Sequence, residues 1–189
     1  MLIYIIMSKY KLTAEQTKKV NKAITYVKKF KGMKYKYFAN DKKWPEKDEA
    51  PFWIQNAKPP PFSKVYKDGS NCAGLMNLVR RFMGLDIPGD SKYAGGTADW
   101  FSYLKKHNRL EKMDHDKVYP PGTLVLQNYN PKDQGHLGIL ITSSKKGILD
   151  SKLMHNISGR GTLITDLKFY VCYDRFTHIC LPQNWLLKN

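Results

Sequence analysis

The earliest regular pattern of apolar and polar residues in the chain predicts an amphipathic helix that ends before Gly32. Apolar residues recur at helical spacing from Val20 to Phe30, and the positions between them are mostly lysine or other polar residues. Thr13-Ala-Glu-Gln16 has the capping-box pattern, in which each of the two side chains bonds to the backbone N–H of the other residue. We therefore expect a helix that starts just after Thr13, with one buried face and one basic face.

The same spacing predicts a second helix farther along the chain. Apolar residues from Leu75 to Phe82 would share one face, and Gly84 is a natural end just past the last turn. Ser70 or Asn71 can cap the start of this helix. We expect the first helix to pack beside it.

The pattern changes from helical to strand-like in the second half of the chain. Thr97 can cap a third helix that ends near Asn108, and Pro120-Pro-Gly122 reads as a turn. Five apolar runs then read as successive antiparallel strands: Thr123 to Gln127, His136 to Thr142, Gly147 to Lys152, Phe169 to Asp174 and Phe176 to Leu181. The predicted fold class is α+β, with N-terminal helices packed on a small, curled antiparallel sheet.

Length and composition predict a single domain over residues 12–189. A chain of 189 residues can bury a substantial core without dividing. The apolar start from Met1 to Met7 is too short to span a bilayer and lacks the features of a secretory signal, so residues 1–11 read as an N-terminal extension, with Met7 as an alternative start. This predicts a cytoplasmic or other intracellular location, with a virion or a host cell as the alternative.

Cys72 and His136 are the candidate chemical groups. Cys72 stands at the predicted helix start, where free N–H groups and the positive end of the helix dipole favour the nucleophilic thiolate. His136 opens a predicted strand, which would hold its ring stiffly enough for general-base catalysis. Each has an ordinary alternative, because a cysteine on an apolar helix face is commonly a small buried hydrophobe and a strand histidine can belong to the core.

Asn71-Cys72-Ala-Gly-Leu, followed by Gly-His136-Leu-Gly-Ile-Leu-Ile, resembles the motifs of the NlpC family of papain-like cysteine peptidases and amidases. The resemblance covers about residues 12–181 and implies a papain-like fold and a cysteine-dependent hydrolase of peptide or amide bonds, with a cell-wall peptide as one candidate substrate. Further segments are similar to the family's, in the same order: Gly32-Met-Lys-Tyr35, Asp86-Ile-Pro88, Tyr119-Pro-Pro-Gly122 and Ser158-Gly-Arg-Gly161.

The chain departs from the family around the candidate nucleophile. Asn71 and Ala73 replace the Asp and Ser that are associated in the family with holding the free amino end of a cell-wall peptide, so a substrate other than bacterial cell wall also fits. Tyr35 is retained, and the resemblance implies that its hydroxyl lies near the nucleophile. It could donate to the oxyanion together with the backbone N–H of Cys72, or it could fill the rim of the core.

Residues 39–67 are an insert relative to the family. Its prolines disfavour regular structure, and its aromatic side chains are too apolar to be left in water. We expect an ordered loop over one side of the cleft, in which Trp44, Phe52 and Trp53 shape substrate choice. Packing of these side chains against the body of the domain is the alternative.

His136 needs a third polar group to fix its tautomer, and two residues are candidates. If the turn is centred near Ser144, antiparallel pairing places Asp150 across from Gly138, and its carboxylate would stabilise the imidazolium. His155 precedes Gly159-Arg-Gly161 much as the family's third histidine precedes its glycines. The sequence favours Asp150, because strand register is a stricter constraint than loop length.

The charge of the chain suggests anionic partners. The formal net charge is +16 and the pI is about 9.7, which would attract an anionic polymer or surface. Only five of the 32 basic residues are arginine, and no single element collects the arginine and amide side chains that read bases, so we expect no specific nucleic-acid binding.

Three cysteines argue against a disulfide framework, and Cys172 and Cys180 read as core residues. No cysteine or histidine pair has a zinc-site spacing, so neither a metal nor another cofactor is expected. Two alternatives to a hydrolase stay open: a catalytically silent basic binding module of the same fold, and a thiol acyltransferase, although related acyltransferases carry the histidine before the cysteine.

Overall fold

The computed structural model describes residues 10–36, 60–88, 96–127, 135–169 and 175–187. Within these residues the protein is α+β: helices from the first half pack against a six-stranded antiparallel sheet from the second half. This confirms the predicted fold class at that level. The helices are α1 (Ala14–Lys28), α2 (Phe62–Asp68), α3 (Cys72–Phe82), α4 (Thr97–Lys106) and α5 (Pro182–Trp185).

The helix starts agree closely with the local signals in the sequence. The capping box at the start of α1 is present: Thr13 N donates to Gln16 Oε1 at 2.9 Å, and Gln16 N donates to Thr13 Oγ1 at 3.2 Å. In α4 the cap is Gly96, one residue before the predicted Thr97, and its N–H donates to an Asp99 carboxylate oxygen at 3.2 Å. The prediction for α4 was therefore wrong by one residue.

The end of the predicted insert is a helix, not a loop. α2 lies within residues 39–67 and one residue beyond them, because the last proline, Pro61, falls at the cap position and leaves Phe62–Asp68 uninterrupted. The candidate cleft residues Trp44, Phe52 and Trp53 lie outside the described residues, as do residues 1–9 and Cys172.

Six antiparallel strands are seen in the described residues, in the order β1-β6-β2-β3-β4-β5. Two short 3-10 turns, Ile148–Asp150 and Leu167–Phe169, flank the hairpin of β4 and β5. The strands are β1 (Glu111–Lys112), β2 (Leu124–Gln127), β3 (His136–Leu140), β4 (Lys152–Ile157), β5 (Gly161–Asp166) and β6 (Phe176–Cys180).

One predicted strand, Gly147 to Lys152, was wrong, and most of another, Phe169 to Asp174, lies outside the described residues. Gly147 to Lys152 contains a 3-10 turn, and Phe169 is the last residue of another, while residues 170–174 lie outside the described residues. The strands that do form here, β4 and β5, were not predicted. Their buried positions include histidine, asparagine and threonine, so an apolar-run criterion passes over them.

Apolar side chains pack on both faces of the sheet. In β2, β3, β4 and β6, neighbouring apolar residues divide between the two clusters, as the period of two in a strand requires. The cluster under the helices includes Val27, Leu75 and Ile139, and it fixes α1 and α3 against the sheet. Among the described helices, none combines the length and the apolar character that a membrane span requires.

Candidate active site

The segment that leads into α3 is held in place by an extended stretch of chain. Ser70 N donates to Lys34 O at 3.3 Å, and Lys36 N donates to Ser70 O at 2.9 Å, which gives a parallel bridge between Tyr35 and Ser70. Gly69 permits this approach, because its φ is +87° and a Cβ there would lie 2.8 Å from Lys34 O. The chain therefore enters α3 along a fixed path.

Asn71 caps α3, and Cys72 is the first residue of the helix. The Asn71 Oδ1 accepts the Gly74 N–H at 2.8 Å, so of the two predicted caps, Ser70 and Asn71, it is Asn71 that forms. Gly74 leaves room for this arrangement, since a Cβ there would lie 2.3 Å from Ser70 Oγ. Cys72 thus occupies the predicted place at the N-terminus of a helix.

The Cys72 sulfur is surrounded by backbone N–H groups but is removed from water. The N–H groups of Leu137, Ala73 and Cys72 itself lie near it, and each of them favours the thiolate. Burial outweighs them, because Cys72 is only 7% exposed, and raises the pKa of the thiol to about 11. The expected N–H groups are present, but the pKa of Cys72 is raised and not lowered, so the thiol is favoured over the thiolate.

The Leu137 N–H lies near the Cys72 sulfur, so the nucleophile candidate lies beside β3. Leu137 directly follows His136, and β2 and β6 also supply residues near His136. Gln127 is paired with His136 in the register of β2 and β3, and the Phe176 ring lies 5.8 Å from the imidazole, centroid to centroid. His136 is itself buried, at 9% exposure. The Cys72 sulfur thus lies near the backbone of Leu137, the residue that follows His136 on β3.

His155 lies directly against His136. The His136 Nε2 and the His155 Nδ1 are 3.0 Å apart, and the other His155 nitrogen, Nε2, lies 3.2 Å from Thr165 Oγ1. Burial, together with the neighbouring His136, lowers the pKa of His155 to about 3. His155 is therefore neutral at physiological pH, with one nitrogen as a donor and the other as an acceptor.

Two proton arrangements satisfy these hydrogen bonds, because either imidazole can donate to the other and the Thr165 hydroxyl can donate or accept. When His136 carries a proton on Nε2, that N–H donates to His155 Nδ1, and the His155 Nε2–H donates to the Thr165 hydroxyl. The Nδ1 of His136 is then the nitrogen that faces away from this chain of hydrogen bonds. The pairing of β4 with β5 brings the two side chains together, because His155 lies on β4 and Thr165 on β5.

Gly138 makes the contact between the two imidazoles possible. The register pairs Ile139 with Met154 and Leu140 with Leu153, and continuing it places His155 beside Gly138. A Cβ on Gly138 would lie 3.0 Å from the His155 Cβ and 2.9 Å from a Leu153 methyl carbon. Any side chain at residue 138 would therefore push β4 away from β3.

The predicted pairing of Asp150 with Gly138 was wrong. Asp150 lies in the 3-10 turn before β4, and its carboxylate pairs with the Lys168 ammonium. The hydrogen bond from Lys168 lowers the pKa of Asp150. The structure thus brings together His136 and His155, the alternative third group, on the strand whose Leu137 N–H lies near the Cys72 sulfur, and directs Asp150 to a solvent-exposed ion pair.

The remaining predicted site residues lie around the start of α3. Tyr35 is half-buried, with its backbone beside Ser70, and Ala73 is buried in the first turn. Asn71 is engaged as the cap, so its side-chain oxygen is already bonded. Among the described residues, no group of three or more His, Cys, Asp or Glu side chains is arranged to hold a metal ion.

Two further polar residues at this site were missed from the sequence. Thr165 lies behind His155, and the buried Asn156 donates from Nδ2 to Ser70 O at 2.6 Å. The available signal was the polar pair His155-Asn156 inside the otherwise apolar stretch from Leu153 to Ile157. Adjacent residues of a strand face opposite sides of the sheet, so such a pair can serve two different neighbours.

Comparison with protein-family models and with curated proteins gives no match. The family resemblance therefore rests on the motifs around Cys72 and His136 and on their order in the chain.

Proposed function

We propose that this protein is a cysteine-dependent hydrolase of peptide or amide bonds, with a papain-like fold of the NlpC type. The observation that carries the proposal is the chain of contacts from the Cys72 sulfur to the Leu137 N–H, and from the adjacent His136 to His155 at 3.0 Å. A nucleophile, a base and a group that orients the base are the parts that thiol hydrolysis needs.

In the proposed reaction, His136 takes the thiol proton on Nδ1 as the Cys72 sulfur attacks the carbonyl carbon. The tetrahedral intermediate collapses to a thioester, and the amine leaves with the proton that His136 returns to it. Water then attacks the thioester with His136 again as the base, which releases the carboxylic acid and restores the thiol. The Tyr35 hydroxyl and the Cys72 N–H are the candidate donors to the oxyanion.

The burial of Cys72 favours proton removal during attack over a thiolate formed beforehand. With a pKa of about 11, only about one thiol in ten thousand is ionised at pH 7. A resting thiolate would therefore be scarce in the absence of His136. A base beside the sulfur is the element that makes such a buried thiol reactive near neutral pH.

His155 serves as the third group in this mechanism and Asp150 does not. A neutral imidazole accepts the His136 N–H and fixes its ring, but it adds no negative charge to offset the imidazolium. Asp150 would first have to leave Lys168, and it lies in a turn outside strand β4. The choice of a neutral partner suits a buried site, where an unpaired carboxylate would be costly.

The proposed substrate class is a peptide or isopeptide-like amide, and bacterial cell-wall peptide is one member of it. Asn71 is engaged as a helix cap and Ala73 carries no polar group, so neither reproduces the family's carboxylate and hydroxyl around the nucleophile. This supports substrates whose recognition does not need a free amino group at that point. The net charge of +16 supports anionic partners or surfaces as well.

A covalent trap tests the proposal. A mixed library of acyl substrates, incubated with the protein and analysed by peptide mass spectrometry, is expected to leave an acyl adduct on Cys72, and its mass would give the substrate class. Cys72→Ser and His136→Ala are the control variants and should form no thioester. If no adduct forms on Cys72 of the native chain and the protein binds an anionic polymer tightly, the catalytically silent binding module is favoured instead. Transfer of the acyl group to an added amine, in place of water, would favour the acyltransferase.

A further inference from the structure

Asn156 joins the sheet to the loop that carries the candidate nucleophile. Its Nδ2 donates to Ser70 O at 2.6 Å, and Ser70 lies two residues before Cys72. The neighbouring residue on β4, His155, contacts His136 on the other side of the strand. Consecutive residues of one strand therefore hold the two halves of the site, one through a backbone carbonyl and one through an imidazole.

This hydrogen bond adds little to the stability of the fold. Ser70 O already accepts the Lys36 N–H at 2.9 Å, so it would remain bonded without Asn156. Asn156 itself is fully buried, and its Oδ1 has no hydrogen-bond partner among the described residues. A buried, unbonded amide oxygen costs free energy that an apolar side chain of similar size would not. Side chains that are unfavourable for folding are characteristic of functional positions.

We propose that Asn156 is a positioning residue, which fixes the start of α3 against β4 so that Cys72 meets His136 at a productive distance. This inference rests on the proposed function, because it assigns Asn156 a role only in the reaction of that pair. Asn156 contacts neither the sulfur nor the imidazole in this role. It acts through the Ser70 carbonyl, which the hydrogen bond from Asn156 holds against β4, the strand that also carries His155.

The chain offers a matched control for Asn156. Thr162 is its direct partner across β4 and β5, is also buried, and carries a hydroxyl without a hydrogen-bond partner among the described residues. Thr162→Val keeps the shape of the side chain and removes no hydrogen bond. It therefore separates general disturbance of this part of the core from loss of the contact to Ser70.

The test is the rate at which iodoacetamide alkylates Cys72, followed by peptide mass spectrometry as a function of pH. We expect Asn156→Leu to lower the rate at pH 7 by about tenfold or more and to shift the pH profile upward, since small displacements of reacting groups have effects of this size. Thr162→Val should stay within about twofold of the native rate. The midpoint of thermal unfolding of Asn156→Leu should equal or exceed that of the native chain.

The decisive comparison is made in a chain that already carries His136→Ala. If Asn156 acts by positioning Cys72 against His136, Asn156→Leu will cause no further loss there, because coupled residues give non-additive effects. An equal loss in both backgrounds would overturn the positioning role and leave a structural one. Lys36→Pro removes the other donor to Ser70 O, and it should shift the profile in the same direction even where Asn156→Leu does not fold.

The outcomes separate the inference from the proposed function. A native alkylation rate that does not depend on His136 would overturn both. A rate that depends on His136 but is unchanged by Asn156→Leu and Lys36→Pro would overturn the positioning role alone.

Discussion

The turn that carries Asp150 and the strand that carries His155 place the two candidate third groups in different surroundings, one exposed to solvent and one buried. Asp150 is a carboxylate at the surface, and it forms an ion pair with Lys168 in contact with solvent. His155 is a buried side chain, and both of its nitrogens lie within hydrogen-bond distance of a partner on another strand. A surface charge can take any flexible counterion, whereas a buried polar group must be matched by its neighbours.

The largest effect is expected from His136, on which both candidate third groups would act. In the His136→Ala variant, burial alone sets the ionisation of Cys72, so alkylation by iodoacetamide should rise with pH to a midpoint near the thiol pKa of about 11. At pH 7 the rate should fall by about a hundredfold or more, the usual size of a general-base contribution. Peptide mass spectrometry at several pH values measures it. A profile identical to that of the native chain would remove His136 from the mechanism.

The choice between the two third groups is tested by a pair of substitutions. His155→Leu removes the acceptor of the His136 N–H and should lower the alkylation rate of Cys72 at pH 7 by roughly tenfold to a hundredfold, because the imidazole loses its fixed tautomer. Asp150→Asn removes the exposed ion pair and should leave the rate within about twofold of native, as expected for surface pairs. The reverse order of effects would restore Asp150 as the third group.

The pH dependence of the free energy of unfolding also distinguishes His155 from Asp150, with a smaller expected effect. The pKa of His155 is lowered to about 3 in the folded state, so the unfolded chain binds this proton first as the pH falls below about 6.5. His155 should therefore reduce the free energy of unfolding by up to about 1.4 kcal/mol per pH unit between pH 6.5 and pH 3.

The lowered pKa of Asp150 has a separate pH window. Its stabilising effect is present above its unfolded value and is lost only as the pH falls below it. Urea unfolding from pH 7 to pH 4 should consequently be less pH-dependent in His155→Leu than in the native chain and unchanged in Asp150→Asn. Equal slopes for all three proteins would contradict the burial of a neutral His155.

The parts of the fold that depend on local signals could be predicted from the sequence. The start of α1 is encoded by Thr13 and Gln16, and that of α3 by Asn71, all within one turn of the helix they begin. Cys72 was placed correctly for the same reason. Its raised pKa was not predictable from these signals, because burial depends on what the rest of the chain lays over the helix start.

The third group could not be chosen from the sequence because it depends on pairing between strands. The 3-10 turn Ile148–Asp150 takes up residues before β4 begins, and the partner of Gly138 changes from Asp150 to His155. The polar residues His155, Asn156 and Thr165 also interrupt the apolar pattern by which strands are recognised. These three polar residues of the candidate site are thus the reason that β4 and β5 were not predicted.

The contact between the His136 and His155 rings depends on Gly138. Because residue 138 carries no side chain, β3 and β4 lie close enough for the two rings to meet, and a single added methyl group would separate the strands. In the proposed mechanism, that substitution would slow proton transfer without touching any reactant. If the proposed function is right, a relative that carries a side chain at this position should be inactive, even where the cysteine and both histidines are retained.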